Sequence, residues 1–263
     1  MVVPDDGERL FPIPAHAPVW DAVLARGRDL AGFGLLAAAA ARGVLAVNTP
    51  QAIGLVRNKI AMQAVLLDHK IPLPRTWFAT DTSVFERLPA DCFPLVIKPF
   101  DGDGARGIAL LTRPTDVALL PPSGGRRELY LAQEWLATDG WDLKLYGIGR
   151  RIWGVRKPSP VDLSHPGPAR IRRVDGAEQV TLDAELIDIG LTCGRACGLE
   201  LWGVDVARTP RGPVVIEVND FPTYSAIPQA GGAIAEHTIA LARMHQLARA
   251  AGLDRVHSFA RDA

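Results

Sequence analysis

The sequence predicts an α+β fold, in which helical stretches and antiparallel hairpins follow one another along the chain. The first observation is a hairpin pattern at residues 93–112, where two apolar runs flank a glycine-rich loop. The second is a similar pattern at residues 201–219, whose turn contains proline and glycine. The third is a set of helical stretches, of which the alanine run at residues 37–41, ended by Gly43, is the clearest.

Composition limits the class of protein. The chain has 263 residues, of which 48% are hydrophobic and 22% are charged, as is typical of a globular protein with one large or two modest domains. Lys and Arg together number 29, as do Asp and Glu, so the net charge is zero and we expect neither nucleic acid nor a membrane as partner. The N-terminus lacks the pattern of a signal peptide, and the apolar run Leu30–Val47, interrupted by Arg42 and Gly43, is too short to span a bilayer. These observations predict a cytoplasmic protein.

The three cysteines, Cys92, Cys193 and Cys197, indicate neither a disulfide framework nor a zinc site. Cys193 and Cys197 stand four residues apart in a predicted helix, and no second pair or nearby histidine matches them. We expect both to be small buried residues.

The first third of the chain reads as an irregular arm at residues 1–18 followed by helices and short strands. Asn48 and Thr49 precede Pro50, which suits the N-cap and first turn of a helix. A proline-punctuated linker at Ile71–Pro74 predicts a boundary nearby. The predicted elements are a helix at Val19–Arg42, a strand at Val44–Val47, a helix at Pro50–Val56, a helix at Asn58–Asp68, a strand at Arg75–Ala79 and a helix at Ser83–Leu88.

The remainder reads mainly as strands, with two further helices. Residues 158–176 are rich in proline and arginine and predict a mobile loop. The predicted strands are Leu95–Phe100, Gly107–Thr112, Leu129–Trp135, Asp142–Gly147, Arg151–Lys157, Leu201–Ala207 and Pro213–Val218. The predicted helices are Asp183–Cys197 and Ala230–Ala251.

The hairpin at residues 201–219 carries a candidate metal site. Alternation along the first strand places Asp205 on the face opposite its apolar neighbours, and on the second strand Glu217 and Asn219 share one face. Two carboxylates and a carboxamide are ligands that a hard cation such as Mg²⁺ prefers, with positions left for phosphate. The alternative is that Asp205 is a solvated acid near a turn and that Glu217 is an edge-strand charge.

The loop at residues 101–107 carries a candidate phosphate site. Its three glycines match the spacing GxGxxG, but the segment continues as a strand rather than a helix, unlike a dinucleotide-binding motif. A protein-kinase loop is also disfavoured, because Lys98 precedes the glycines instead of following them. Glycines allow backbone N–H groups to approach phosphate oxygens, and Lys98 adds a positive charge. The alternative is a simple turn.

The order of these features resembles the ATP-grasp superfamily. The resemblance covers roughly residues 44–247 and is carried by RNKIAMQAVLLDHKIPLPRTWF (57–78), LVIKPFDGDGARGI (95–108), QEWL (133–136), DLKLYGIGRRIWGVRKPSP (142–160), GVDV (203–206) and EVNDFPTYSAIP (217–228). It implies an ATP-grasp fold, with two α+β subdomains sandwiching ATP. The implied domains are a truncated N-terminal α/β segment (1–56), subdomain 1 with the lysines and the glycine loop (57–138), and subdomain 2 with the metal site (139–263).

The resemblance also implies roles for individual residues. Asp205, Glu217 and Asn219 would hold one or two Mg²⁺ or Mn²⁺ ions, and Arg156 and Lys144 would be catalytic, with Arg156 stabilising charge on the γ-phosphoryl group. The residues implied in ATP binding are Lys59 and Lys98 at the phosphates, Gly102, Asp103, Gly104 and Gly107 in the loop that closes over them, Gln133, Glu134, Trp135 and Leu136 near adenine, and Asp142 at the ribose. The alternatives are a solvated Lys59, an Asp142 that caps a turn, and an Arg156 that pairs with Glu134.

Two reactions fit this resemblance. RimK-like carboxylate–amine ligases form an acyl phosphate and convert it to an amide; the segments at 58–78 and 211–219 look like theirs, although the arginine, asparagine and paired-glycine pattern of their loop is missing. ATP-grasp inositol-phosphate kinases instead phosphorylate a hydroxyl; RKPSP and NDFPTYSAIP look similar to their patterns. A basic cluster would suit their anionic substrates, and it comprises Arg150, Arg151, Arg156, Lys157, Arg170, Arg172 and Arg173.

We favour the ligase, because most ATP-grasp members form acyl phosphates. The expected partner is a small-molecule or peptide substrate with a carboxylate, or an anionic polyol if the enzyme is a kinase. A third possibility is a nucleotide-binding protein without catalysis, which the intact lysines, acids and asparagine disfavour. A homo-oligomer is possible.

Overall fold

The computed structural model describes residues 20–26, 29–100, 107–120, 129–159, 161–162, 164–171 and 175–253. The helices in these ranges are α1 (Leu30–Ala41), α2 (Pro50–Arg57), α3 (Lys59–Asp68), α4 (Ala184–Ala196) and α5 (Ala230–Ala250), with 3-10 helices at Thr82–Arg87, Ala90–Cys92 and Pro114–Leu119. The strands are β1 (Ala22–Leu24), β2 (Leu45–Val47), β3 (Thr76–Ala79), β4 (Leu95–Pro99), β5 (Ala109–Leu111), β6 (Tyr130–Glu134), β7 (Trp141–Ile148), β8 (Arg151–Pro158), β9 (Val161–Asp162), β10 (Gly167–Pro168), β11 (Arg170–Ile171), β12 (Glu178–Val180), β13 (Leu201–Thr209) and β14 (Gly212–Asn219).

Two antiparallel five-stranded sheets form the centres of two lobes. The first lobe has the strand order β10-β5-β4-β6-β3, and its core contains Phe85, Leu95, Ile97 and Leu111. The second lobe has the order β12-β8-β7-β13-β14. The predicted hairpins are therefore present, β4 with β5 in the first lobe and β13 with β14 in the second.

The two faces of the second sheet have different neighbours. The face that packs against α2, α3 and α4 presents Leu143, Leu145, Trp202, Val204 and Val218. The opposite face presents Tyr146, Ile148 and Leu201, which pack with residues of α5. Because side chains alternate along a strand, Lys144, Asp205, Glu217 and Asn219 also belong to this opposite face. We call it the site face.

The N-terminal segment forms a small α/β unit, in which β1 and β2 pair in parallel and α1 connects them. The prediction of one helix from Val19 to Arg42 was wrong in its first half. Residues 22–24 pair with β2, and α1 begins only at Leu30, after Asp29 caps the backbone N–H of Gly32. Local periodicity does not reveal the sheet partner that makes residues 22–24 a strand.

The proline- and arginine-rich stretch at residues 158–176 is more regular than predicted. Its described residues include three two-residue strands, and β9 pairs with β11. Strand β10 pairs with β5, so a segment of the second lobe completes the sheet of the first.

The predicted helix at Ser83–Leu88 is a 3-10 helix at Thr82–Arg87. The other predicted helices and strands are confirmed to within one or two residues at each end.

The division at residues 56 and 138 stays a prediction. Met62 and Leu66 of α3 pack in the core that covers the second sheet.

The cysteines are buried, as predicted, and burial raises the pKa of Cys197 to about 12. Among the described residues, no helix combines the length and hydropathy needed to cross a membrane.

Candidate active site

The pairing of β13 with β14 brings the three candidate metal ligands together. Asp205 lies opposite Glu217, and Gly203 lies opposite Asn219. The Asn219 Nδ2 atom donates a hydrogen bond to Asp205 Oδ2 at 2.9 Å. The register shifts by one residue between Asp205 and Val206, because Ile216 is an extra residue on β14. Such bulges change the direction of nearby side chains and are common next to active sites.

Two lysines contact the two acids directly. Lys59, the first residue of α3, places its Nζ atom 2.5 Å from Glu217 Oε1, and its side chain is only 6% exposed. Lys144 on β7 places its Nζ atom 2.9 Å from Asp205 Oδ1. Burial disfavours the charge on Lys144, but attraction by Asp205, Tyr146 and Glu217 outweighs burial and raises its pKa. Both acids therefore have a cationic partner from a different element.

Lys98, on β4 of the first lobe, interacts electrostatically with the same cluster. Burial lowers its pKa to about 8; repulsion by Lys59 also lowers it, whereas Glu217 and Asp205 raise it. The site therefore combines three lysines with two carboxylates, and it draws them from both lobes. A surplus of positive charge between two lobes suits a ligand that carries several negative charges.

The donor set fits a hard divalent cation that also binds substrate. Asp205, Glu217 and Asn219 supply carboxylate and carboxamide oxygens, which Mg²⁺ and Mn²⁺ accept. Within the described part of the chain, no group of three His, Cys, Asp or Glu side chains is arranged to hold a metal. A cation bound here would thus need further ligands, which water and phosphate commonly provide for Mg²⁺.

The predicted adenine segment lies at the end of β6. Gln133 is buried, and its Nε2 atom donates to Thr76 Oγ1 at 3.1 Å. Glu134 connects the lobes, because its carboxylate lies 3.2 Å from Arg211 Nη2 at the β13–β14 turn and 3.5 Å from Arg75 Nε. Trp135 is 38% exposed. The assignment of these residues and Leu136 to adenine stays a prediction.

Arg156 lies elsewhere than its predicted role requires. It pairs with Leu143 across β7 and β8, so it belongs to the face opposite the site face. Its Nε atom lies 2.5 Å from Glu178 Oε1, and its guanidinium carbon lies 4.8 Å from the Trp141 ring centroid. The alternative pairing with Glu134 is also wrong, since Glu178 is the partner.

Asp142 does lie on the site face. It stands opposite Lys157, so Lys157, unlike Arg156, shares this face. Burial raises the pKa of Asp142, while a hydrogen bond from Ser159 and the charge of Lys157 act in the other direction. Its role at the ribose stays a prediction.

The predicted basic cluster does not form a single patch. Arg151 lies at the turn of the β7–β8 ribbon, where it contacts Glu236 of α5 at 3.0 Å, whereas Lys157 lies at the other end. Arg156 is engaged by Glu178 on the far face. Arg172 and Arg173 lie outside the described residues.

Most of the glycine loop also lies outside the described residues, including Gly102, Asp103 and Gly104. Gly107, at its end, has a φ of 72°. A Cβ atom there would lie 2.7 Å from Pro99 Cγ, so the position requires glycine for both its backbone conformation and its space. The closing of this loop over phosphate stays a prediction.

Sequence reasoning missed several residues next to the cluster. Arg57 directly precedes Asn58 and Lys59, and it contacts Asp220 Oδ2 at 3.0 Å. Asp220 directly follows Asn219, and Asn48 is buried against the same turn. Sequence position could have indicated the two charged residues, because Arg57 is two residues from Lys59 and Asp220 is next to Asn219.

Residues 56–241 match the family model of the RimK-like ATP-grasp domain. The chain belongs to the RimK-like ATP-grasp family. A probable alpha-L-glutamate ligase of Teredinibacter turnerae is 30% identical over 234 residues, which cover 86% of this chain and 75% of that protein. This RimK-like ATP-grasp protein is therefore an ATP-dependent carboxylate–amine ligase, as predicted, and its relatives represent the ligase branch rather than the kinase branch.

Solved structures share the fold of this RimK-like ATP-grasp enzyme. The RimK domain protein ATP-grasp from Sphaerobacter thermophilus superposes with a TM-score of 0.63 at 21% identity, covering 86% of each chain. The ATP-grasp ligase PsnB, in complex with a minimal precursor, Mg and ADP, superposes with a TM-score of 0.59 at 19% identity, covering 84% of this chain and 79% of PsnB. The predicted ATP-grasp fold is confirmed.

Proposed function

We propose that this enzyme uses ATP and Mg²⁺ to activate a substrate carboxylate as an acyl phosphate, which an amine then converts to an amide. The observation that carries the proposal is the convergence of lysines and acids from both lobes. Lys98 comes from the first lobe, whereas Lys144 and Asp205 come from the second. Such a set can neutralise a triphosphate and hold its terminal phosphoryl group.

Asp205, Glu217 and Asn219 are the residues that would hold one or two Mg²⁺ ions. When bound, Mg²⁺ neutralises charge on the phosphate oxygens and so favours phosphoryl transfer. Lys59 contacts Glu217, and Lys144 contacts Asp205. A divalent cation at the acids would free both ammonium groups to contact phosphate oxygens as point charges.

The length of the hairpin supports an extended nucleotide along it. Glu217 stands five residues from Gly212, which corresponds to roughly 17 Å of strand. The acid cluster lies at one end of this distance, and the Arg211 contact with Glu134 lies at the other. We assign the phosphates to the first end and adenine to the second, next to Trp135.

The chemistry takes place in two balanced steps. A carboxylate oxygen of the acceptor attacks the γ-phosphorus, and the bond from that phosphorus to the β,γ-bridging oxygen breaks, so that ADP leaves. The amine nitrogen then attacks the acyl carbon, phosphate leaves, and the nitrogen loses a proton. Lys144, which lies beside Asp205 on the site face, would offset negative charge during the first step.

The acceptor side of the site is bounded by the loop that follows β14. The Tyr224 hydroxyl donates to the carbonyl oxygen of Gly147 at 2.8 Å, and its ring centroid lies 5.4 Å from that of Tyr146. Arg26, just after β1, donates to Thr223 Oγ1 at 3.2 Å. An aromatic wall with an exposed arginine suits an amino acid or a peptide that carries a second anionic group. The name of the Teredinibacter turnerae relative and the precursor bound to PsnB are compatible with this class.

The test is a double variant, Glu217→Gln with Asn219→Ala. Because it removes the negative charge of Glu217 and the carboxamide oxygen of Asn219 without removing apolar packing, we expect loss of Mg²⁺-dependent ADP release with an intact circular-dichroism spectrum. Glu236→Gln is the matched control, since it removes a carboxylate on α5. Full activity of the double variant would overturn the assigned metal site.

The reaction class is tested with a panel of amino acids and short peptides, with ADP release as the measurement. Hydroxylamine should trap the acyl phosphate as a hydroxamate, with release of phosphate, when the correct carboxylate is present. Transfer of label from the γ-phosphate to a stable phosphate ester would instead indicate a kinase and would contradict the proposal. The cytoplasmic location and a homo-oligomeric state stay predictions.

A further inference from the structure

A buried asparagine links the two strands that carry the proposed metal ligands. Asn48, just after β2, is 1% exposed. Its Nδ2 atom donates to the carbonyl oxygens of Leu201, at 2.7 Å, and Asp220, and its Oδ1 atom accepts from the backbone N–H groups of Glu200 and Leu201, at 2.7 and 2.9 Å. The carboxamide thus uses both its donors and both its lone pairs. One side chain of the N-terminal unit therefore holds the start of β13 against the end of β14.

A partly buried ion pair holds the same end of β14. The Arg57 Nη2 atom lies 3.0 Å from Asp220 Oδ2, and the Asp220 side chain is only 8% exposed. The guanidinium carbon of Arg57 lies 5.7 Å from the Phe33 ring centroid, so α1 supports the arginine from behind. A carboxylate this buried is costly without a charged partner. Arg57 supplies that partner beside Asn219.

Two ion pairs connect the α2–α3 junction to the end of β14. Arg57 ends α2 and Lys59 begins α3, with Asn58 between them capping the second helix. Arg57 contacts Asp220, and Lys59 contacts Glu217. Two cations separated by one residue thus meet two acids separated by two residues. Together with the core packing of Met62 and Leu66, these two contacts define the position of the start of α3 on β14.

We propose that Asn48, Arg57 and Asp220 are positioning residues for the phosphoryl-transfer site. They hold the ends of β13 and β14 and the first residue of α3 so that Lys59, Glu217 and Asn219 meet one metal–nucleotide complex. The inference rests on the proposed function. Residues that orient metal ligands in this way typically contribute about 10–100-fold to metal affinity or activity.

The experiment measures Mn²⁺ binding rather than turnover alone. Electron paramagnetic resonance reports free Mn²⁺ in the presence of a non-hydrolysable ATP analogue. We expect Arg57→Ala to weaken Mn²⁺ binding to the nucleotide complex by about 10–100-fold. Arg57→Lys, which retains the charge, should recover most of this loss, and kcat should fall more than KM for ATP rises.

The matched control is Arg113→Ala. Arg113 lies 3.1 Å from Asp116, a buried acid of the first lobe, so this variant removes a more exposed arginine from a buried aspartate away from the site. It should lower thermal stability and leave Mn²⁺ affinity unchanged. If Arg57→Ala behaves in the same way, the Arg57–Asp220 pair is only structural and the proposal fails.

A milder variant covers the case in which Arg57→Ala does not fold. Asp220→Asn retains the shape and one acceptor oxygen, and it should weaken Mn²⁺ binding in the same direction but less. Unchanged Mn²⁺ affinity in this variant overturns the positioning role. Absence of Mn²⁺ binding by the unmodified enzyme would overturn the proposed metal site and this inference together.

Discussion

Among single residues, Lys98 shows how the fold changes the chemistry of a side chain. In water its amine would be charged at any physiological pH, but burial lowers its pKa to about 8. At pH 8 the amine is therefore about half protonated. A bound phosphate would favour the charged form and raise the pKa again, so nucleotide binding and proton uptake are coupled.

We expect nucleotide binding at pH 8 to take up about half a proton through Lys98. For the same reason, affinity should fall as the pH rises above 8, because the neutral amine must first gain a proton. Calorimetric titrations in two buffers of different ionisation enthalpy measure the uptake. Lys98→Met is the control, and equal proton uptake by this variant and the unmodified enzyme would refute the assignment.

Among the secondary-structure elements, β7 and α4 each place a glycine against the indole ring of Trp202 on β13. Trp202 is fully buried, and its Nε1 atom donates to the carbonyl oxygen of Gly190 at 3.0 Å. A Cβ atom at Gly147 of β7 or Gly194 of α4 would lie 2.0 or 2.5 Å from the indole ring. These glycines are therefore required by packing, although glycine weakens both helices and strands.

We expect Gly194→Ala to destabilise the protein by about 1–3 kcal/mol, because the added methyl group overpacks the core against Trp202. Gly34→Ala is the matched control within α1, where an added Cβ meets nothing within 4 Å. That variant should be stabilised by about 0.5–1 kcal/mol, since alanine favours the helix. Urea unfolding measures both, and equal changes in the free energy of unfolding would disprove the packing argument.

For the whole molecule, the important feature is that the site depends on several units at once. The lobes are linked by the backbone hydrogen bond from Val215 to Pro72, by the pairing of β10 with β5, and by Arg211 with Glu134. The last of these pairs is exposed and contributes little by itself. A ligand that contacts both lobes would add a stronger connection, and it would bind only the folded chain.

We expect a non-hydrolysable ATP analogue with Mg²⁺ to stabilise the folded protein by about 2.7 kcal/mol at a concentration 100 times its Kd. A thermal-shift titration measures the change. Chelation of the metal should reduce it, and Asn219→Ala should reduce it as well. A thermal shift that is insensitive to both treatments would place the nucleotide away from the acid cluster.

The sequence predicted the candidate site better than it predicted the residues around it. Strand alternation, a local property, predicts that Glu217 and Asn219 share a face, whereas the bulge at Ile216 puts that face on the side of Asp205. Arg156 was assigned from a motif, but the face on which it lies depends on the register of β7 with β8. A shift of one residue in that register moves the side chain to the other face of the sheet. A motif alone, without the pairing of its strand, therefore does not predict on which face the arginine lies.

The α+β class, both hairpins and the ATP-grasp resemblance are readable from the amino-acid order alone, because they depend on periodicity, turn residues and the order of motifs. Which charges meet depends on the three-dimensional packing. Lys59 reaches Glu217, and Asn48 reaches Asp220, across more than 150 positions of the chain. Such contacts arise when helices pack on a sheet and buried polar groups find partners, and no local pattern specifies that partner.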